Sequence, residues 1–272
     1  MNRVTAVVIV LFCLIAGMGT SVVAQETERP IRILLTYGGH GFEEGPFFAM
    51  FDALPGIEYT RAPLPARADL LRPGLQQQYD VIVKYDMARG FTPEQRDAFV
   101  ALLSEGIGLV SLHHNIGAHS DWEEFARIIG GRFFFNETTM DGRTYPPSTW
   151  SQGETIRVTV ADQDHPITAG IEDFEIVDET YGGFFTTADR HVLLRTDHPK
   201  NDPDVAWTLR YGNSPVFFLM LGHCNLAWQN PVYPRLLEQG IRWAAGRSLP
   251  PVAAGDGARR NDDRGQGLED LQ

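Results

Sequence analysis

Three short apolar runs in this chain each break off at small residues beside histidine, and that pattern restricts the fold more than any other. They are ILLTYGGHGF around His40, IGLVSLHHNIG around His113 and His114, and VFFLMLGHCN around His223. A continuous apolar run of this length reads as a strand buried on both faces of a parallel sheet. A glycine-containing turn after such a strand delivers the next side chain to the carboxyl edge of the sheet, where open α/β folds bind ligands. Three strands ending in imidazole therefore predict one shared site.

The segments between these runs alternate strand and helix. Ile31–Thr36, Ile57–Arg61 and Tyr79–Tyr85 (ending at Asp86) are predicted strands, and Glu43–Leu54 carries a helical stripe of Phe47, Met50 and Phe51. Thr92-Pro93-Glu94-Gln95 opens a helix that runs to Ser104, with threonine at the N-cap and proline in the first turn. Ile107–Leu112 is the next strand, and Asp121 is expected to cap a helix over Trp122–Ile129. This order predicts a parallel sheet with right-handed crossovers. Thr155–Val160, His191–Thr196, Val205–Tyr211 and Val216–Leu221 are further strands, expected to extend the sheet antiparallel. Gly212-Asn213-Ser214 is a hairpin-type loop, and Pro234–Ala245 is a closing helix.

Composition places limits around this core. The chain has 272 residues, 43% of them hydrophobic, and a formal net charge of −12. That is ample for a sizeable core. The acidic balance and the lack of any Lys/Arg cluster argue against a nucleic-acid partner. Residues 1–24 join a basic start to an apolar run and a Val-x-Ala end, the pattern of a signal peptide. The protein is therefore expected to be exported, periplasmic or extracellular, with membrane attachment only if the leader stays uncleaved. Cys224 is then the one remaining thiol, so no internal disulfide is expected. Residues 248–272 are poor in large apolar side chains and are expected to be a disordered tail. One domain is left, 29–247.

Imidazole suits acid–base work near neutral pH and also metal binding. His113, leaving its strand at a position that can be a sharp elbow, and His223 are the leading candidates, with His40 and His114 beside them. A hydrogen-bonded core histidine is the plainer alternative for His113. The cluster Asp178-Glu179-Thr180-Tyr181 could orient a histidine, bind a metal or grip sugar hydroxyls, or could be a solvated turn. A divalent metal such as zinc or manganese could be drawn from His113, His223, His40 and Glu179, although no HExxH or CxxC spacing fixes it. No GxSxG is present, so acyl transfer through a serine is poorly supported. Trp122, Trp207 and Trp228 could stack on sugars or pack in the core, and His165 and His198 precede proline in expected turns.

YDVIVKYD, FTPEQRDAFVALLSEGIGLVSLHHNIGA, DWEEFARIIGGRF, DHPITAGIEDFEIVDETYG, AWTLRYGNSPVFFLMLGH and NPVYPRLLEQGIRWAAG together resemble the trehalose-utilisation (ThuA-like) family over about residues 31–246. The resemblance implies an α/β, flavodoxin-like three-layer sandwich similar to class I glutamine amidotransferases, mostly parallel with antiparallel additions. At the elbow, where those amidotransferases carry a nucleophilic cysteine, this chain has His113, so glutaminase activity is not implied. What is implied is an enzyme that hydrolyses, eliminates or isomerises a small carbohydrate, a (3-keto) glycoside. The site expected on this basis has His113, His223 and Glu179 as catalytic groups and His40, His114, Asp86 and Tyr181 against substrate. The alternatives are a non-catalytic sugar-binding module and a metal-dependent hydrolase of another small substrate.

Overall fold

A computed structural model describes residues 29–248; the expected leader at 1–24, and all but the first residue of the expected tail at 248–272, lie outside the described residues. The first half runs β1 (Ile31–Gly38), α1 (Glu44–Asp52), β2 (Ile57–Pro63), β3 (Val81–Asp86), α2 (Pro93–Ser104), β4 (Gly108–Leu112) and α3 (Glu123–Ile129). Short strands β5 (Gly131–Arg132), β6 (Thr138–Met140) and β7 (Arg143–Tyr145) lead into the long β8 (Thr149–Val160). Then follow β9 (Phe174–Gly182), β10 (Phe185–Thr186), β11 (His191–Thr196), β12 (Asp204–Tyr211), β13 (Ser214–Leu219), α4 (Asn225–Trp228) and α5 (Val232–Ala244).

Nine strands form one sheet in the order β2-β1-β3-β4-β13-β12-β11-β8-β9. The first five are mutually parallel. The remaining four are antiparallel to their neighbours. Strand alternation on β3 shows the three layers. Tyr85 packs on one side against Phe47 of α1 and Trp228 of α4, while Lys84 points to the other side among Phe99 of α2 and Phe125 of α3. The fold is thus a flavodoxin-like α/β sandwich with an antiparallel extension. Among the described residues no helix is long and apolar enough to cross a membrane.

Local chemistry fixes the start of α2, the one α-helix among the described residues with a side-chain N-cap. Thr92 accepts from the Gln95 amide and Gln95 reaches back to the Thr92 amide, a full capping box with Pro93 behind it. The third helix departs from expectation. Trp122 holds its N-cap position with no side-chain cap, because Asp121 is drawn instead to Arg96 of α2. A second departure matters more: Phe174–Gly182, where sequence predicts no strand and a solvated turn is one reading of the Asp178–Tyr181 cluster, is the edge strand β9.

Candidate active site

His113 follows directly on β4 and holds φ +47°, a left-handed backbone that only a few per cent of non-glycine residues adopt. Its imidazole is completely buried. Nδ1 lies 2.6 Å from the Met220 carbonyl oxygen just beyond β13. A carbonyl can only accept, so Nδ1 carries the hydrogen and the tautomer is set. Nε2 then faces Glu179 Oε2 at 3.1 Å and the Tyr181 hydroxyl at 2.9 Å. Neutral His113 can accept from Tyr181. The carboxylate contact becomes attractive only when Nε2 is protonated or a cation lies between the two.

Glu179 and Tyr181 alternate on one face of β9. Burial alone would push the Glu179 carboxyl up; the hydrogen bond and charge of His113, with help from Tyr181 and His223, instead hold it at about 2. Glu179 is therefore a carboxylate at any physiological pH. Tyr181 is pushed well above the usual phenol range, first by burial and then by the Glu179 charge, so it keeps its proton.

A third element is the turn after β13. Buried Asp178 accepts from the amides of Gly222 (2.6 Å) and His223 (2.9 Å), as well as from Glu179 (2.9 Å). Burial pushes its carboxyl up, and His113 and the amides oppose that. On the other side of the turn, Trp228 Nε1 donates to the Gly222 carbonyl at 2.9 Å. Gly222 sits at φ +112°, and a Cβ there would fall 2.2 Å from the Tyr233 hydroxyl, so only glycine fits. The clamp leaves His223 Nε2 3.9 Å from Glu179 Oε1 and 3.4 Å from Gln152 Nε2. Burial, then the neighbouring His113, lowers the His223 pKa, which favours a neutral ring.

His40 completes the group. Gly39 turns out of β1 at φ +75°, against the Met87 backbone, where a Cβ would come within 2.6 Å of the Met87 carbonyl oxygen. The His40 ring stacks on His114 at 4.7 Å and lies 6.0 Å from His223, while His113 lies 5.6 Å from His114 and 5.2 Å from His223. The four imidazoles are contiguous at the carboxyl edge of β1, β4 and β13. His114 is held neutral, its pKa well below the usual range through burial and then the His113 charge.

A cavity of about 210 Å³ opens over this edge, and His40, His114, Glu179 and Tyr181 line it. Neither His113 nor His223 is among the lining residues: His113 stands behind Glu179 and Tyr181, and His223 stands beside Gln152 and Glu179, both of which do line it. Asp86, expected against substrate, is not brought to the cavity. It is fully buried, accepting from Thr36 Oγ1 at 2.6 Å with Lys84 Nζ at 3.0 Å, and so is spent on the sheet interior. Trp207 and Trp228 are core residues, and Trp122 packs against Phe99 and Phe125. His165 and His198 cap turns through Nδ1. The residues that sequence reasoning missed are Asp178 as a clamp, and Phe133, Phe135, Trp150 and Gln152 on the cavity wall. Trp150-Ser151-Gln152 is one apolar residue followed by two polar ones, so no alternation extends the predicted strand at Thr155–Val160 back to include them.

The family model for trehalose utilisation, ThuA, matches residues 64–244. The chain belongs to the ThuA family. A ThuA-like protein from Parabacteroides merdae shares the fold with a TM-score of 0.70 at 20% identity, over 83% of this chain and 94% of that one. A cytoplasmic protein from Salmonella typhimurium superposes at TM-score 0.52 and 15% identity, over 78% and 98% of the two chains. A β-galactosidase from Bacillus circulans matches at 0.53 and 10%, over 80% of this chain and 31% of that one. These likenesses are of fold. No curated protein matches the sequence.

The ThuA site also holds a donor set suited to a metal. One ligand atom each from His113, Glu179 and His223 lies within 4.8 Å of the others, and two imidazoles with a carboxylate suit zinc, manganese or iron. The fixed His113 tautomer strengthens the fit, because its free lone pair on Nε2 is turned toward the Glu179 carboxylate.

Proposed function

We propose that this ThuA-family protein is an enzyme that breaks a glycosidic bond in a sugar carrying a neighbouring ketone, by elimination through proton transfer. The observation that carries this is the placement of His113 between the Met220 carbonyl and the Glu179–Tyr181 pair at a cavity floor. A ketone acidifies the hydrogen on the adjacent carbon. His223, kept neutral, takes that proton on Nε2 as the general base. The electron pair forms a double bond conjugated with the carbonyl and expels the glycosidic oxygen. That oxygen takes the Tyr181 hydroxyl proton, and the phenol regains one through solvent from His223, which carries the abstracted proton beside the Glu179 carboxylate, while His113 Nε2 holds the phenol in place. The products are an unsaturated keto sugar and a free alcohol; addition of water to the former completes a net hydrolysis.

A second reading rests on the convergence of His113, Glu179 and His223. Those three would hold a divalent cation, which when bound supplies Lewis acidity at the carbonyl oxygen. His113 is then a ligand and Tyr181 alone faces the departing oxygen. The leader-like segment at residues 1–24 supports action outside the cytoplasm, which N-terminal sequencing of secreted protein tests.

The direct experiment incubates purified protein with a panel of disaccharides and their 3-keto derivatives and follows monosaccharide release. Release from keto forms, lost in Glu179→Gln and His223→Ala, is expected. Binding of the sugars with no product from any of them would leave a sugar-binding module in place of an enzyme.

A further inference from the structure

Aromatic surface is exposed on the walls of the cavity. Among the described residues only four large hydrophobic side chains are exposed, and two of them, Trp150 (60%) and Phe135 (40%), line this one cavity. Both connect to its floor. Trp150 on β8 is the direct ladder partner of Tyr181 on β9, so the two side chains stand next to each other on one face. On the opposite side of Tyr181 a train of rings runs outward, Phe133 at 5.4 Å from Tyr181 and Phe135 at 5.2 Å from Phe133.

Size and charge narrow what these walls can hold. The cavity, about 210 Å³, is below the roughly 300–1,000 Å³ typical of sites that swallow a drug-sized ligand. It has room for a single ring at the reactive floor, and anything attached to that ring must extend past Trp150. No lysine or arginine lines it, and its one formal charge is the Glu179 carboxylate. Arg89 is near, but its guanidinium lies over the Phe135 ring and is not part of the lining. A phosphorylated or carboxylated sugar would meet an uncompensated anion there. An uncharged pyranose has an apolar C–H face that an exposed indole can cover while its hydroxyls stay in water.

We infer that Trp150, with Phe135, forms a second-ring subsite, and that the site takes a neutral glycoside of at least two rings, one on the floor of His40, His114, Glu179 and Tyr181 and the next stacked on Trp150. This rests on the carbohydrate reading above and adds to it the length and charge of the ligand. Gln152 is placed at the junction: it sits two positions along β8 from Trp150 and touches His223, within reach of the linkage between the rings.

The test is calorimetric titration of wild type, Trp150→Ala and Trp150→Phe with trehalose and with methyl α-glucoside, each in plain and 3-keto form. Trp150 is exposed, so its replacement leaves the core untouched. Trp150→Ala is expected to weaken the disaccharide roughly tenfold and the methyl glycoside by less than about twofold, with Trp150→Phe recovering most of the loss. A phosphorylated disaccharide is expected to bind more weakly than its neutral parent. Equal losses for both ligands, or an unchanged disaccharide affinity in Trp150→Ala, would overturn the subsite while leaving the carbohydrate reading intact. A change of oligomeric state in Trp150→Ala with unchanged sugar affinity would overturn it too, and assign the indole to an interface. If wild type binds neither sugar, the carbohydrate reading itself falls and the subsite falls with it.

Discussion

Nε2 of His113 and Oε2 of Glu179 stand 3.1 Å apart, and the other ring nitrogen of that histidine is already committed to the Met220 carbonyl. The contact is therefore between a carboxylate and the one titratable face of an imidazole. Its strength depends on what occupies that face, a proton or a cation.

Glu179→Gln keeps the shape and removes the charge. We expect turnover to fall by about 10²–10⁴-fold with near-UV circular dichroism unchanged. His113→Asn, which tolerates the left-handed backbone, should show a loss of similar size. The double variant should be little worse than either single one, because the two groups act as a unit. Additive losses in single-turnover kinetics would separate them.

Asp178 never meets the cavity, yet it fixes where His223 stands. Asp178→Ala leaves three backbone amides without their acceptor in the interior. Unfolding in urea should show a loss of about 3 kcal/mol. The same variant should lose activity at denaturant concentrations far below its unfolding midpoint, as the Gly222–His223 turn loosens first.

Zinc or manganese offers a separate check on the three-donor cluster. Ligand that binds only the native state raises Tm. Zn2+ is expected to raise the Tm of wild type, and the rise is expected to vanish in His223→Ala and in Glu179→Gln. Wild type whose Tm does not respond to either ion, and whose activity survives a chelator, has no use for the metal.

His119 supplies a pH test outside the site. It is packed by Phe91 and Phe125, and burial, then the Lys84 charge, lowers its pKa to about 3. The unfolded imidazole titrates near 6.5, so between these values the unfolded chain binds more protons. Stability is then fully present above 6.5 and falls as pH drops toward 3. The share lost by about pH 4 is on the order of 3 kcal/mol. His119→Asn, acceptable at φ +48°, should flatten that part of the slope in urea titrations at neutral and acid pH.

The parts of the fold that sequence revealed are those where local chemistry and burial agree. The capping box at Thr92–Gln95 and the apolar runs ending at His40, His113 and His223 are of this kind. The four histidines do meet, as their positions after buried strands require. β9 escaped notice because Asp178-Glu179 in mid-strand looks like a turn, and only the tertiary partners of those carboxylates, the Gly222–His223 amides and His113, make a strand of them. Asp86 misled for the converse reason: it ends a strand at the correct edge, but Thr36 and Lys84 claim its oxygens within the sheet. The rear position of His113 depends on side-chain direction, which no spacing reveals.

β9 is the outermost strand on its side of the sheet, and it contributes the carboxylate and the phenol to an imidazole that comes from the centre. During synthesis the emerging polypeptide holds that imidazole early, meets Glu179 only many residues later, and obtains the Met220 oxygen later again. The cluster is complete only when the outermost strand and β13 are both in place around His113, so on the reading proposed above, turnover regained during refolding counts finished molecules and ignores half-built ones.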